Sequence, residues 1–202
     1  PLDITGLGAT YYTGNCHKWI CAPKGAGFLW VRRDRQPHIR PVTISHGANT
    51  VRADRSRYLL EFDWMGTVDP TAVLCVPEAI RFMGGLLPGG WPELMDRNRA
   101  QALAARDRVC ARLGIASPAP DEMIGTLVAF PISDGSPDPP ASSLYIDPLQ
   151  DELMDRFRIE VPVIPWPAPP KRVVRFSSQI YNRPDQYDQL ADALVAVLDH
   201  PE

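Results

Sequence analysis

The sequence predicts an α/β protein whose last part, residues 115–202, makes a small α/β domain with its own sheet. Three observations predict it. Short runs of strand composition recur at both ends of the chain, at 9–12, 126–130, 159–164 and 172–177. A long stretch of helical spacing, 92–113, lies between them. The chain closes on a segment after Pro184 in which Tyr187, Leu190, Ala191, Leu194 and Leu198 share one apolar face.

Taken in order, Ala9-Thr10-Tyr11-Tyr12 has strand composition, and Thr13-Gly14-Asn15 reads as the turn that follows. Residues 25–31 are expected to form a buried strand, opened by glycines where another backbone or a ligand approaches. Residues 32–35 are a charged turn. The stretch 37–66 shows no clean period, and a structureless loop of that length is usually functional or disordered. Its His46-Gly47-Ala48-Asn49 and Phe62-Asp63-Trp64 favour function. Asp69-Pro70 opens a helix, with Asp69 as the cap and Pro70 in the first helical position. Pro77 is expected to kink or break the apolar run 72–83. Two Gly-Gly pairs punctuate before the helix 92–113, where Met95, Ala102, Val109 and Leu113 form a core stripe and Gly114 is the stop. A strand at 126–130, a loop at 134–140, a short helix at 148–157 and strands at 159–164 and 172–177 follow. The proline-rich link 165–170 joins the last two rigidly.

Composition narrows the function. Hydrophobic residues at 45% and charged residues at 22% describe a folded chain rather than a disordered one. The 22 prolines and 14 glycines together stay below the share that marks low complexity. No apolar run is long enough to span a membrane, and a net charge of -3 speaks against a nucleic-acid surface. The four cysteines form no C-x-x-C pair, so a reduced, cytoplasmic protein fits. Cys16, His17 and Cys21 match no standard zinc spacing and no metal site is expected. His38 and His200 read as surface residues.

Lysine is scarce: Lys18, Lys24 and Lys171 are all the chain has. Lys18 stands between His17 and Trp19, shortly after Tyr11-Tyr12. A lysine in such an apolar, aromatic setting has its neutral form favoured by desolvation, and a neutral amine is what Schiff-base chemistry with an aldehyde requires. Taken alone the triplet is weak, since long cationic chains more often reach out to solvent. Lys24 reads as a surface turn residue.

The segment Tyr12-Thr13-Gly14-Asn15-Cys16-His17-Lys18-Trp19, with Ala22-Pro23-Lys24-Gly25, resembles the cofactor-lysine region of class V aminotransferase-type enzymes. These use pyridoxal 5'-phosphate (PLP) on fold type I, and the isopenicillin N epimerase-like branch is the most similar. Trp64-Met65-Gly66-Thr67-Val68-Asp69-Pro70 and Arg175-Phe176-Ser177-Ser178-Gln179-Ile180-Tyr181-Asn182 continue the resemblance in order, so it covers nearly the whole chain. It implies Lys18 as Schiff-base lysine and mover of the α-proton, with Asn15 and His17 beside the cofactor. It also implies Gly66-Thr67 at the cofactor phosphate of a neighbouring subunit, hence a homodimer with shared sites. Arg175 matches the arginine that grips the substrate α-carboxylate, a role suited to its planar fork. Without the family, Thr67 reads as a helix-entry residue and Arg175 as a solvent-facing strand residue. His46 stays open between substrate contact and ordinary loop histidine.

The resemblance further implies the C-terminal part of a type I fold. Residues 1–85 would end the PLP-binding large domain, with strands of a large parallel sheet; 86–114 would be a connecting helix and 115–202 the small C-terminal domain. Such enzymes carry an upstream Asp on the pyridine nitrogen and an upstream phosphate loop, and neither precedes Pro1. The expected activity lies at the α-carbon of an amino acid: epimerisation, transamination or carbon–sulfur lysis. Cysteine desulfurase fits less well, because it needs a mobile nucleophilic cysteine and Cys75 and Cys110 fall on expected helices. The rival is a non-catalytic remnant or dimerisation module.

Overall fold

The computed structural model describes residues 2–138 and 147–198, so the end of the 134–140 loop and His200 lie outside the described residues. Its contacts divide the chain between Trp91 and Pro92 into two compact units.

In the first unit, the single turn α1 (Ile4–Leu7) leads to β1 (Tyr11–Asn15) and β2 (Gly27–Val31). They pair antiparallel, Tyr11 opposite Val31 and Asn15 opposite Gly27, as a two-stranded sheet and not as members of a parallel one. Thr13-Gly14-Asn15 is therefore strand rather than turn. The ladder outweighs turn composition here: the Thr13 hydroxyl donates to the Phe28 carbonyl at 2.8 Å. The Phe28 ring also lies so close to Gly14 that an added Cβ would stand 2.6 Å from it. The second strand opens at Gly27 rather than at residue 25, and it is largely exposed, with Val31 its buried residue.

The stretch 37–66 holds regular structure after all, in α2 (His46–Asn49) and α3 (Arg57–Asp63). Ser56 caps α3, its hydroxyl accepting from Leu59 N at 3.2 Å. Periodicity overlooks α3 because its polarity is inverted: Glu61 is buried while Leu59 is exposed. Arg40 donates to both Glu61 carboxylate oxygens, at 2.8 and 3.0 Å, and Arg57 lies 3.4 Å away. Paired this way a buried carboxylate is tolerated.

The next helix starts one residue late. Pro70 is the cap position of α4 (Thr71–Leu74), and Asp69 instead accepts from Thr71 N at 2.9 Å. The break falls at Cys75, and α5 (Val76–Gly84) carries Pro77 in its first turn, where the missing N–H is not needed. Cys16, Ala22 and Ala26 form a small buried cluster on which Ile20, Ala72, Val76 and Ala79 pack.

The second unit contains most of α6 (Gly90–Leu113), two residues longer than expected at its start. Met95 is exposed and Leu94 takes its place on the buried face, with Asn98, Ala102, Ala105 and Val109. Gly114, at φ 66°, ends the helix in the left-handed conformation that favours glycine. Strands β3 (Leu127–Ile132), β4 (Val163–Pro165) and β5 (Arg172–Ser177) make an antiparallel sheet in the order β3-β5-β4. β4 is half the length expected, and β3 sits one residue later and runs longer.

Helix α7 (Pro148–Phe157) begins where Asp147 accepts from Leu149 N at 3.0 Å with Pro148 in the first turn. Helix α8 (Pro184–Leu198) buries Tyr187, Leu190, Ala191 and Leu194, while Leu198 is half-buried. Together they close one core around Val109, Phe130, Leu153, Val174 and Phe176. The helix that the sequence sets apart as a connector contributes Ala102, Ala105 and Val109 to it.

Candidate active site

Lys18 sits in the connection between β1 and β2. Backbone bonds shape that connection: Cys16 N donates to Ala26 O at 3.0 Å, Ala22 N to Cys16 O at 3.0 Å, and Cys21 N to Lys18 O at 3.0 Å. The last closes a four-residue turn with Cys21 at φ 59°, a left-handed conformation unusual for a residue with a side chain. His17 Nδ1 donates to the Ala26 carbonyl at 3.2 Å, which leaves Nε2 available. Asn15, at the end of β1, is exposed, and its carbonyl accepts from Lys18 N at 3.3 Å. The Lys18 side chain is exposed too, and its amine has no hydrogen-bond or ion-pair partner among the described residues. The desolvated setting expected from its aromatic neighbours is thus absent around it in this chain. Lys24 is an exposed turn residue, as expected.

Gly66 and Thr67 lie between α3 and α4. Gly66 has φ 143°, inaccessible without strain to other residues, and no atom would obstruct an added Cβ. Thr67 is exposed. This segment leads into α4, whose Ala72 packs on the cluster beneath the Lys18 connection. No direct bond between Thr67 and Lys18 occurs among the described residues.

His46 opens α2 with its side chain exposed. Its backbone is held by a clamp that the sequence reading missed. The Arg57 guanidinium donates to Ala48 O at 2.7 Å, Gly47 O at 3.3 Å and Thr50 O at 3.4 Å while facing Glu61. Gly47 approaches α3 so closely that a Cβ would lie 2.0 Å from Leu60 O. Arg40 holds the Glu61 carboxyl below its usual range through hydrogen bonding. No local signal announces this clamp, since its partners are separated in sequence and largely backbone.

Arg175 lies in the second unit, on β5 opposite Ala129, with its N–H donating to Pro162 O at 3.1 Å. It alternates with the buried Val174 and Phe176 and is exposed, and its guanidinium has no partner among the described residues. It lines a cleft of about 370 Å³ together with Arg158, Ser177, Tyr181 and Asn182.

The cysteines are placed unfavourably for nucleophilic work. Cys16 and Cys110 are buried, Cys75 is half-buried and Cys21 is exposed, and partial desolvation pushes the thiols of Cys21 and Cys110 up. Among the described residues no three His, Cys, Asp or Glu side chains gather as a metal site would need.

No family model matches the chain. Isopenicillin N epimerase of Amycolatopsis lactamdurans is 33% identical over 204 residues, which cover 96% of this chain and 48% of that protein. The same-named protein of Streptomyces clavuligerus is 32% identical, covering 97% and 49%. Probable chloroplastic L-cysteine desulfhydrase of Arabidopsis thaliana is 29% identical, covering 96% and 41%. Over nearly its whole length this chain is homologous to isopenicillin N epimerases and L-cysteine desulfhydrases. That length is about half of each relative. Among solved structures, alanine–glyoxylate aminotransferase from Nostoc sp. matches with a TM-score of 0.65 at 18% identity, over 98% of this chain and 50% of that one. Cysteine desulfurase CsdA from Escherichia coli matches with a TM-score of 0.62 at 18% identity, over 98% and 48%. At that identity the two show the fold: the homologue has the architecture of about half a fold type I enzyme, the expected class. No helix among the described residues is long and apolar enough to cross a membrane.

Proposed function

We propose that this chain is the C-terminal portion of a PLP enzyme acting at the α-carbon of an amino acid, with Lys18 as the residue that carries the cofactor. The observation that carries the reading is the Lys18 amine. It is exposed and unpaired, on a connection whose backbone is fixed at both ends, in a homologue of epimerases and desulfhydrases. An amine free of carboxylate partners fits an aldehyde-bearing group. PLP, when bound, supplies the electron sink for the α-carbon.

The chain's own residues do the rest. With the cofactor bound, the Lys18 amine would take the α-proton of the substrate and return it. Asn15 and His17 flank the cofactor, the latter with Nε2 left available by the bond of Nδ1 to Ala26 O. Gly66 and Thr67 hold the phosphate, donated across a homodimer so that two subunits share each site. Arg175 grips the α-carboxylate with its unpartnered fork. His46 serves as a substrate contact.

Epimerisation is the first reading, since the isopenicillin N epimerases are 33% and 32% identical. Carbon–sulfur lysis is the second, supported by the desulfhydrase at 29%, and both begin with the same proton removal. A desulfurase cysteine is disfavoured by the burial of Cys16 and the raised thiols of Cys21 and Cys110. The test is α-proton exchange of amino acids in deuterated buffer, with the holoenzyme that contains this chain. Exchange should vanish in Lys18→Ala; undiminished exchange there would overturn the assignment.

A further inference from the structure

The turn after β5 is held by buried polar groups, although it carries an exposed tyrosine. Ser178 is fully buried, with its N–H donating to Thr126 O at 2.8 Å and its hydroxyl 2.8 Å from the Tyr187 hydroxyl. Gln179 is 4% exposed, and its Oε1 accepts from Asn98 Nδ2 at 2.7 Å and from Ile180 N at 2.8 Å. Its own N–H donates to Asn182 Oδ1 at 3.0 Å, and Asn182 O accepts from Gln101 Nε2 at 3.1 Å. Residues 178, 179 and 182 are thus tied to α6 and α8 on either side of Tyr181.

The network that holds that turn leaves one buried polar atom unsatisfied among the described residues. Asn98 is 4% exposed, and its Oδ1 has no partner among the described residues. An amide buried with one end unsatisfied costs free energy that an apolar pair would not. A network kept at that cost points to a geometric requirement. What it fixes is Tyr181, which is 73% exposed and makes no ring contact or hydrogen bond among the described residues. Tyr181 lines the same cleft as Arg175 and Pro162. A large ring held by its neighbours rather than by its own packing is available to a ligand.

We propose that Tyr181 is a specificity-determining residue, the fixed rim met by the side chain of an amino acid whose α-carboxylate is on Arg175, and that Asn98 and Gln179 are its positioning residues. This rests on the carboxylate role of Arg175 proposed above. The substrate class is an α-amino acid whose side chain extends beyond Cβ, because a side chain that stops at Cβ has no distal end for the ring to meet.

The experiment compares L-norvaline with L-alanine as probes of α-proton exchange by the holoenzyme. Tyr181→Ala should lower the norvaline-to-alanine ratio of kcat/KM about tenfold, the scale of a lost apolar side-chain contact. Tyr181→Phe should keep the wild-type ratio. Asn98→Ala should lower the ratio in the same direction, and adding Gln179→Ala should lower it by less than the two single effects combined, since the two share one bond. Should Asn98→Ala fail to fold, Gln101→Ala removes the bond to Asn182 O from a half-buried position and should shift the ratio likewise. Arg175→Ala must raise KM for both probes alike; if it leaves both unchanged, the carboxylate reading fails. If Arg175→Ala acts but Tyr181→Ala keeps the wild-type ratio, the specificity role alone is overturned. A ratio that responds to Tyr181 but not to Asn98 or Gln101 overturns the positioning role.

Discussion

In the second unit Phe130, Leu153, Val174 and Leu194 are closed off from water around an antiparallel sheet, with helices α6, α7 and α8 contributing to the same core. In the first, the buried cluster is Cys16, Ala22 and Ala26, while Val42, Val51, Val68 and Leu74 stand exposed. What organises the first unit is directional: the backbone bonds of the Lys18 connection and the Arg40–Glu61–Arg57 clamp behind His46. The difference teaches that stability and proposed chemistry are separated along the chain. The unit with the closed core carries one exposed arginine of interest, and the loosely covered unit carries the lysine and the proposed phosphate segment.

The sharpest way to break that division is to compare Lys18→Ala with a core truncation. Lys18→Ala should reduce turnover by at least about 10²–10⁴-fold, the usual contribution of a proton-transferring group, and leave the thermal midpoint of the cofactor-free protein unchanged because the side chain is exposed. A fall in the midpoint would mean that the connection is structural.

Phe130→Ala should do the opposite, destabilising the second unit by about 3–5 kcal/mol, the cost of emptying a buried aromatic site. Denaturant titration monitored by amide exchange in residues 127–132 and 172–177 reads it. A loss under about 1 kcal/mol would show that this core is less closed than its burial indicates.

Gly66→Ala is a smaller step. No atom obstructs the Cβ, so the cost is that of forcing φ 143°, about 1–3 kcal/mol. It should appear in stability and in cofactor retention, since Thr67 follows directly. Retention equal to wild type with lowered stability would detach this segment from the proposed phosphate role.

The smallest expected effect is acidic loosening of the clamp. Arg40 holds the folded-state pKa of Glu61 below its ordinary value of 4.5. A lowered carboxyl pKa adds stability that is present above the ordinary value and is lost as pH falls through the lowered one. Amide exchange in residues 46–63 should therefore rise a few-fold relative to other segments as the medium passes below 4.5, and Glu61→Gln should remove that pH dependence. A profile unchanged by Glu61→Gln would remove Glu61 from the clamp.

Where one local signal decided an element, the sequence was a sufficient guide. Asp147-Pro148 marks the start of α7, and the alternating Val174, Arg175, Phe176 marks β5. Where a distant partner decided it, the reading failed. Thr13-Gly14-Asn15 has turn composition but pairs with Gly27, Phe28 and Leu29. Helix α3 hides because Glu61 is its buried residue, acceptable only with Arg40 twenty-one positions away. Period alone places a helical stripe to within one residue, which is how Met95 stood in for Leu94. The candidate site divides the same way. Lys18 was singled out as a candidate by its scarcity and by the resemblance of its segment, whereas the Arg57 clamp and the Asn98–Gln179 bond, 81 positions apart, have no local signature.

The central claim is that Lys18 carries the cofactor, and the chain's three lysines make it directly measurable. The purified holoenzyme would be reduced with borohydride, digested, and the phosphopyridoxyl adduct assigned by mass spectrometry. The account predicts one stoichiometric adduct per subunit, on the peptide holding Lys18. An adduct of equal stoichiometry on Lys24, on Lys171 or on a lysine outside this chain would contradict it.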